Sequence, residues 1–304
     1  MNEVNKNATY EVPHDREGQR LDNYLIPILK IPRSLLYKSL RKGYIRINSY
    51  KSKPCDRIKS NDIISVRKHL INTKPLNDSV KDQNKSIDVS WLNQYIIENN
   101  KDFIVFNKPS GLAVHGGSGT SLGLIEMARL LFKNEKFDLE LVHRLDKDTS
   151  GLIILSKKRS TLRALSELFA KRNIKKTYYT VLSGSLERKQ KVTYKLKTIR
   201  SKDGIRRAIV DEQEGKESYT VFTPQHKDNL RSLCKVELKT GRMHQIRAHA
   251  HALNMPILGD RLYSSSKDKL PLHLHAWKLE FSLNDKQYVF TAKIPDSWVI
   301  SKIT

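Results

Sequence analysis

The stretch LVHRLDKDTSGLIILSK, residues 141–157, sets seven polar side chains (His143, Arg144, Asp146, Lys147, Asp148, Thr149 and Ser150) between two apolar segments. Apolar strands on both sides make this a loop held on a rigid sheet, the kind of place where functional side chains concentrate. Asp148, Thr149, Ser150 and Gly151 read as a turn, in which short polar side chains satisfy backbone amides and the glycine supplies an unusual backbone angle. Asp146 is not absorbed by that turn and is the carboxylate with chemistry to do. A second stretch, LKTGRMHQIRAHAHALNMPILGDRLY at 238–263, reads as a strand ending in a TGR turn. A helix follows from near Met243 towards Asn254, closed by Pro256 and Gly259. His244, Arg247 and His251 fall at i, i+3 and i+7 and share one face of that helix. His244, His249, His251, His273 and His275 invite a metal reading, but no carboxylate or Cys lies at ligand spacing and H-E-x-x-H is missing, so no metal is expected. The two cysteines, Cys55 and Cys234, stand outside any C-x-x-C, which argues against a disulfide framework or a thiolate zinc site.

The elements that must position these groups show in the hydrophobic periodicity. Residues 94–107 suggest a hairpin, with QYII and FIVFN flanking ENNKD. Ser121–Phe132 and Ser160–Lys171 read as helices with one apolar face each, and Gly151–Ser156 as a buried strand. Tyr178–Leu182, Val192–Ile199, Ser218–Phe222, Leu233–Leu238, Leu272–Leu283 and Tyr288–Ala292 all read as strands. Strands outnumber helices and mostly follow one another through turns. The expected class is α+β with a largely antiparallel sheet, not a doubly wound nucleotide-binding fold. No apolar run approaches the roughly 20 residues that cross a bilayer, and the start MNEVNKNATYEVPHD lacks a signal peptide's apolar stretch, so a cytoplasmic protein with no membrane partner is expected.

Charge points to a partner. The 304 residues carry 56 Lys and Arg against 32 Asp and Glu, a net charge of +24. AT-rich coding could inflate Lys without any ligand, so distribution decides. Residues 33–59 alone hold Arg33, Lys38, Arg41, Lys42, Arg46, Lys51, Lys53, Arg57 and Lys59 against Asp56, or +8 in 27 residues. Such a cluster suits a phosphate backbone, whose counterions it displaces. Leu21, Tyr24, Leu25, Ile28 and Leu29 make one amphipathic helix. Leu35, Leu36 and Leu40 stripe a second, which starts near Pro32 and ends before Gly43. Tyr44–Asn48 and Asp62–Val66 read as strands, which leaves Lys38, Arg41, Lys42 and Arg46 exposed. A helix beginning R-L-D, a basic helix ending R-K-G, a strand I-R-I-N followed by Lys and a closing D-x-I resemble an S4-type RNA-binding domain over residues 16–68. The polar, charge-neutral run that follows is expected to be a linker, 69–90, ahead of a larger domain, 91–304.

Four ordered motifs of that larger domain, N-K-P-x-G-x-x-V-H at 107–115, H-R-L-D-x-x-T-S-G at 143–151, K-x-Y at 176–178 and G-R-x-H-Q-I-R at 241–247, resemble the RluA family of pseudouridine synthases. The tail LHLHAWKLEF at 272–281 is similar too, and the match spans about 91–295. With an S4-type domain in front and VHGGSGTSLGLIE after the first motif, the chain looks most like the type C branch acting on large-subunit (23S) ribosomal RNA. The one departure is Met243, where many relatives carry Thr. The resemblance implies isomerisation of uridine in RNA, without cofactor or metal; a monomer is the default expectation, which no residue pattern sets. It implies that Asp146 is the catalytic aspartate, that Arg247 pairs with it, that Arg144 fills the place vacated by the flipped nucleotide and that Tyr178 packs on the flipped base. Burial alone would protonate Asp146, so a neighbouring cation is required, and a bidentate guanidinium would supply both charge and orientation.

Two other readings compete. A nucleoside hydrolase cuts the same bond but needs a second carboxylate, for which Asp148 is the only local candidate. A non-catalytic RNA-binding factor for ribosome assembly would use the basic segment alone.

Overall fold

The computed structural model describes residues 7–71, 87–116, 122–201, 204–264 and 269–298. Most of the expected linker, residues 72–86, and the GSGTS run at 117–121 lie outside the described residues. The chain divides into two compact units, Met1–Ile87 and Asp88–Thr304. No helix among the described residues is long and apolar enough to cross a membrane.

In the first unit β1 (Asn7–Glu11) is followed by α1 (Leu21–Leu29), α2 (Arg33–Arg41), β2 (Ile45–Ile47), β3 (Tyr50–Lys51) and β4 (Ile63–Arg67). The strands make an antiparallel sheet in the order β1-β4-β2-β3. Leu21, Tyr24, Leu25 and Leu29 of α1 recur at helical spacing and close a core with Leu36, Leu40, Ile45, Ile64 and Val66. Asp22 is buried under this layer, where its carboxylate takes two bonds from Arg20 (3.0 and 2.8 Å) and one from the Tyr37 hydroxyl (2.8 Å). Those bonds hold the Asp22 pKa below the usual carboxylate range, the Arg20 bond foremost. Arg33, Lys38, Arg41, Lys42 and Arg46 are all exposed.

The second unit is built on β5 (Ile96–Asn99), β6 (Phe103–Lys108), α3 (Leu124–Leu131), β7 (Glu140–Leu141), β8 (Ser150–Ser156), α4 (Arg159–Ala170) and β9 (Lys175–Ser183). These are followed by β10 (Gln190–Val192), β11 (Lys195–Arg200), β12 (Arg206–Val210), β13 (Lys216–Glu217), β14 (Thr220–Lys227) and β15 (Arg231–Leu238). Helix α5 (Gln245–Ala252), β16 (Leu274–Leu283) and β17 (Lys286–Thr291) complete the unit. Ten strands form one sheet in the order β10-β14-β15-β9-β16-β8-β6-β5, with β17 on β16 and β7 on β8; β12-β11-β13 form a smaller sheet. The class is α+β and the pairing antiparallel throughout, except that β16 runs parallel to β8.

Strands β6 and β8 are apolar on both faces because both faces are covered. Ile104, Phe106, Ile153 and Leu155 pack with Leu124, Ile125 and Ala128 of α3. Phe103, Val105, Leu152 and Ile154 pack with Leu165 of α4 and with Leu279 and Phe281 of β16. A continuous apolar run is what two-sided burial requires. The expected strand Val192–Ile199 divides between the two sheets, as β10 and β11, and the expected strand Ser218–Phe222 begins only at Thr220, as β14, after a break that separates it from β13 of the smaller sheet. Both breaks fall at one junction, where the Ser218 hydroxyl donates to the Tyr194 carbonyl and meets His249 Nε2 at 2.7 Å.

Candidate active site

One row of paired residues crosses the large sheet. Lys108 of β6 lies opposite Gly151 of β8, Gly151 opposite Ala276 of β16, and Ala276 opposite Tyr178 of β9. Gly151 has φ +108°, and a Cβ there would stand 2.3 Å from the Ala276 carbonyl oxygen, so no other residue fits. The loop of residues 142–149 enters this row and is tied to it on two sides. The wholly buried Lys108 ammonium donates to the carbonyls of Pro109 (2.9 Å), Leu112 (2.8 Å) and Lys147 (2.9 Å). Burial pulls its pKa down to about 7, against the opposing charges of Asp148 and Asp146. Gly111 N–H donates to Lys147 O at 3.0 Å and the Ser110 hydroxyl to Asp148 O at 2.7 Å. On the other side His143 Nε2 accepts the Ile154 N–H (3.1 Å), and its ring stacks on Phe169 at 4.4 Å. Burial pushes the His143 pKa down to about 3, so it is a neutral wedge.

At the crest of this loop the Asp146 carboxylate, 32% exposed, faces Arg247 Nη1 at 3.8 Å and His244 Nε2 at 3.7 Å. Arg247 is 6% exposed, projecting from α5. Its bidentate partner is not Asp146, as expected, but Asp260: Nε donates to one oxygen at 2.8 Å and Nη2 to the other at 2.7 Å. Asp260, itself 2% exposed, also accepts the N–H groups of Leu262 (2.9 Å) and Tyr263 (3.1 Å). Burial works against the Arg247 charge, yet the Asp260 bonds outweigh it and the pKa is raised. The guanidinium also lies 5.2 Å from the Tyr263 ring centre, where the aromatic face favours a cation.

The helix starts later than the periodicity indicates, at Gln245, and His244 sits before it in the left-handed region with φ +50°. The Gln245 side chain causes this: it accepts from Thr240 Oγ1 (2.7 Å) and the Arg242 N–H (3.0 Å) and donates to Tyr219 O (3.0 Å), winding the TGR turn onto the helix. His244 therefore does not share a helical face with Arg247 and His251. It meets the Tyr263 hydroxyl through Nδ1 at 3.2 Å and turns Nε2 to Asp146. Burial lowers its pKa, partly offset by Asp146.

Tyr178 is half-buried on β9 beside Leu182 and Val236. Burial, and after it the Asp146 charge, push its hydroxyl pKa up. Arg144 is exposed on the loop, two residues before Asp146. Asp148 is exposed in the turn. His249 and His275 are committed to Ser218 and Ser150, the latter at 2.9 Å. Among the described residues no group of three or more His, Cys, Asp or Glu side chains is arranged to hold a metal.

A buried arginine locked by one carboxylate and aimed at a second, accessible one is a site for keeping an anion beside an ordered cation. The family model for RNA pseudouridylate synthase matches residues 102–252, which hold Asp146, Tyr178, His244 and Arg247. A ribosomal large subunit pseudouridine synthase C of Pasteurella multocida is 39% identical over 281 residues, covering 89% of this chain and 84% of that protein. The protein of the same name from Haemophilus ducreyi is 36% identical over 296 residues, covering 94% and 91%. The chain belongs to the RNA pseudouridine synthase family. Among solved structures, human RNA pseudouridylate synthase domain containing 4 superposes with a TM-score of 0.57 at 25% identity, over 68% of this chain and 91% of that one. Human RNA pseudouridylate synthase domain containing 1, at 22% identity and a TM-score of 0.58, shares the fold. The synthase is an isomerase, and its motifs converge: 107–115, 143–151 and 176–178 meet in the cross-sheet row, and 241–247 delivers Arg247. Sequence reasoning had no role for Asp260, although the Pro256 and Gly259 turn signals mark where the chain doubles back to bring it under α5.

Proposed function

We propose that this synthase converts uridines of large-subunit (23S) ribosomal RNA to pseudouridine in the bacterial cytoplasm, as a monomer. The first unit supplies an S4-type RNA-binding domain over 16–68, joined by the linker 69–90 to the catalytic domain 91–304. In the reaction the C1′–N1 bond breaks, the uracil turns, C5 joins C1′, and the proton lost from C5 is balanced by one gained at N1, so mass is unchanged. Asp146 is the catalytic carboxylate. The observation that carries this reading is its placement: part-exposed, 3.8 Å from a guanidinium that Asp260 holds rigid. A cation held so rigidly gives the carboxylate a fixed electrostatic neighbour on the side of α5.

A stacked uridine reaches that carboxylate only by leaving the stack, at a cost of a few kcal/mol. Arg144, exposed two residues before Asp146, takes the vacated position. Tyr178 packs on the flipped base, where aromatic stacking is worth about 1–3 kcal/mol. Arg33, Lys38, Arg41, Lys42 and Arg46 hold phosphates through the sequence-independent term of RNA binding. The deciding experiment maps pseudouridines in ribosomal RNA of cells with and without the gene, complemented by wild type or Asp146→Asn. The reading requires sites that vanish with the gene, return with wild type and stay absent with the variant while RNA affinity is kept. Unchanged maps would instead favour a non-catalytic assembly factor, and release of free uracil a hydrolase.

A further inference from the structure

A concave surface lies close to the Asp146 loop, linked to it through Phe169. It is a cavity of about 460 Å³ between the end of α4, the start of β9 and the end of β15, lined by Arg172, Lys175, Lys176, Leu238 and Lys239 among others, with no carboxylate in its wall. Lys175 is accounted for by Glu280 at 3.5 Å. Among the described residues Arg172, Lys176 and Lys239 have no carboxylate partner; Lys176 Nζ lies 5.9 Å from the Phe169 ring centre and Lys239 Nζ 4.8 Å from that of Tyr219. Lys176 is partly withdrawn from water beside Arg172, and burial followed by that like charge lowers its pKa. A concavity that gathers unpaired cations at an energetic cost offers its return to an anion.

Its location says which anion. Lys176 and Tyr178 lie on the same face of β9, about 7 Å apart along the strand. Phe169 joins the two places, with Lys176 over its ring and His143 of the Asp146 loop stacked on it. Gly241 of the TGR turn brings its backbone so close that a Cβ would stand 3.4 Å from Lys176 Nζ. We propose that this groove is a phosphodiester subsite that holds the RNA strand next to the flipped nucleotide. The proposal rests on the RNA-isomerase reading above. The cations carry no base-edge recognition, so the subsite holds position and leaves sequence choice elsewhere.

The test uses the full chain with Arg172→Gln, Lys176→Gln and Lys239→Gln combined, against a control in which Lys133, Lys136 and Lys189, all exposed, become Gln. Pseudouridine formation on a ribosomal RNA transcript and equilibrium RNA binding are measured across a salt series, with circular dichroism to verify folding. The groove variant should raise KM about tenfold and reduce the slope of log affinity against log salt by about 2, as the loss of three single-strand phosphate contacts requires. Single replacements, of which Lys176→Gln is the most informative, should each give a proportionate part. Unchanged KM and slope, or an equal loss in the control, overturns the subsite while wild-type product leaves the isomerase reading standing. Absence of product from wild type overturns the isomerase reading, and the salt slopes still decide whether the groove binds phosphates.

Discussion

Arg247 grips Asp260 through Nε and Nη2, at 2.8 and 2.7 Å, and presents Nη1 to Asp146 at 3.8 Å. The guanidinium therefore has one fixed anion and faces a second, more accessible one. A bidentate pair leaves a planar fork almost no rotational freedom, so the position of the third nitrogen follows from the pairing with Asp260.

Replacing Asp260 by Asn should lower kcat about 100-fold, the scale of a misplacement of roughly 1 Å, and destabilise the fold by about 3–5 kcal/mol through the orphaned buried cation. Single-turnover kinetics and thermal melts measure both. An Asp260→Asn enzyme with wild-type kcat would mean that the Asp260 grip does not set the reactive geometry.

Lys108→Met keeps an unbranched side chain, one heavy atom shorter, and removes three donors. The carbonyls of Pro109 and Leu112 then lose the ammonium while Lys147 O keeps the Gly111 N–H, and each unsatisfied group costs about 1–3 kcal/mol. A loss of about 2–6 kcal/mol in urea unfolding is expected, with activity falling in the fraction that stays folded because Lys147 O, next to Asp146, keeps one of its two donors.

Gly151→Ala should be among the most damaging single changes. Its Cβ meets the Ala276 carbonyl at 2.3 Å in a backbone conformation that alanine avoids, so β8 and β16 must part. Destabilisation above about 4 kcal/mol or failure to accumulate as folded protein is expected, while Gly111→Ala, with open space around the position, should cost far less.

Acid should unfold the protein early. His249 and His275 are fully buried and burial pushes each pKa down to about 4, while His143 goes down to about 3. The folded state favours the neutral rings, so their contribution is complete above the ordinary pKa of about 6.5 and is lost as pH falls towards 4. Each fully buried ring should remove about 1.4 kcal/mol per pH unit in that window. Melting temperatures between pH 7 and 4 check this, and replacing His275 by Gln should flatten the decline.

Legibility in the sequence followed the range of the forces. Helices α3 and α4, the hairpin of β5 and β6 and the buried strand β8 were readable because their apolar spacing is local and two-sided burial leaves an uninterrupted run. The crossing of β10 into β11 was hidden, since a strand that leaves one sheet for another keeps its alternation. The tie that makes the crossing, Ser218 to Tyr194, spans 24 residues. Asp146 and Arg247 were visible through motif resemblance and their mutual approach was foreseen. The identity of Arg247's tighter partner was not, because Asp260 lies beyond a turn whose return angle no residue pattern encodes. His244 was misplaced for a local reason: Gln245 reaches back to the turn and delays the helix by two residues from its expected start.

Strand β16 lies between β8 and β9, and among the described residues no other strand joins those neighbours. The half of the sheet bearing Asp146 and the half bearing Tyr178 are thus sewn together by a segment translated after both. On the ribosome, residues 274–283 are the last stitch, and until they emerge the two halves share no ladder. A chain still being made therefore lacks the ladder that joins the Lys108–Gly151 half of the row to Tyr178.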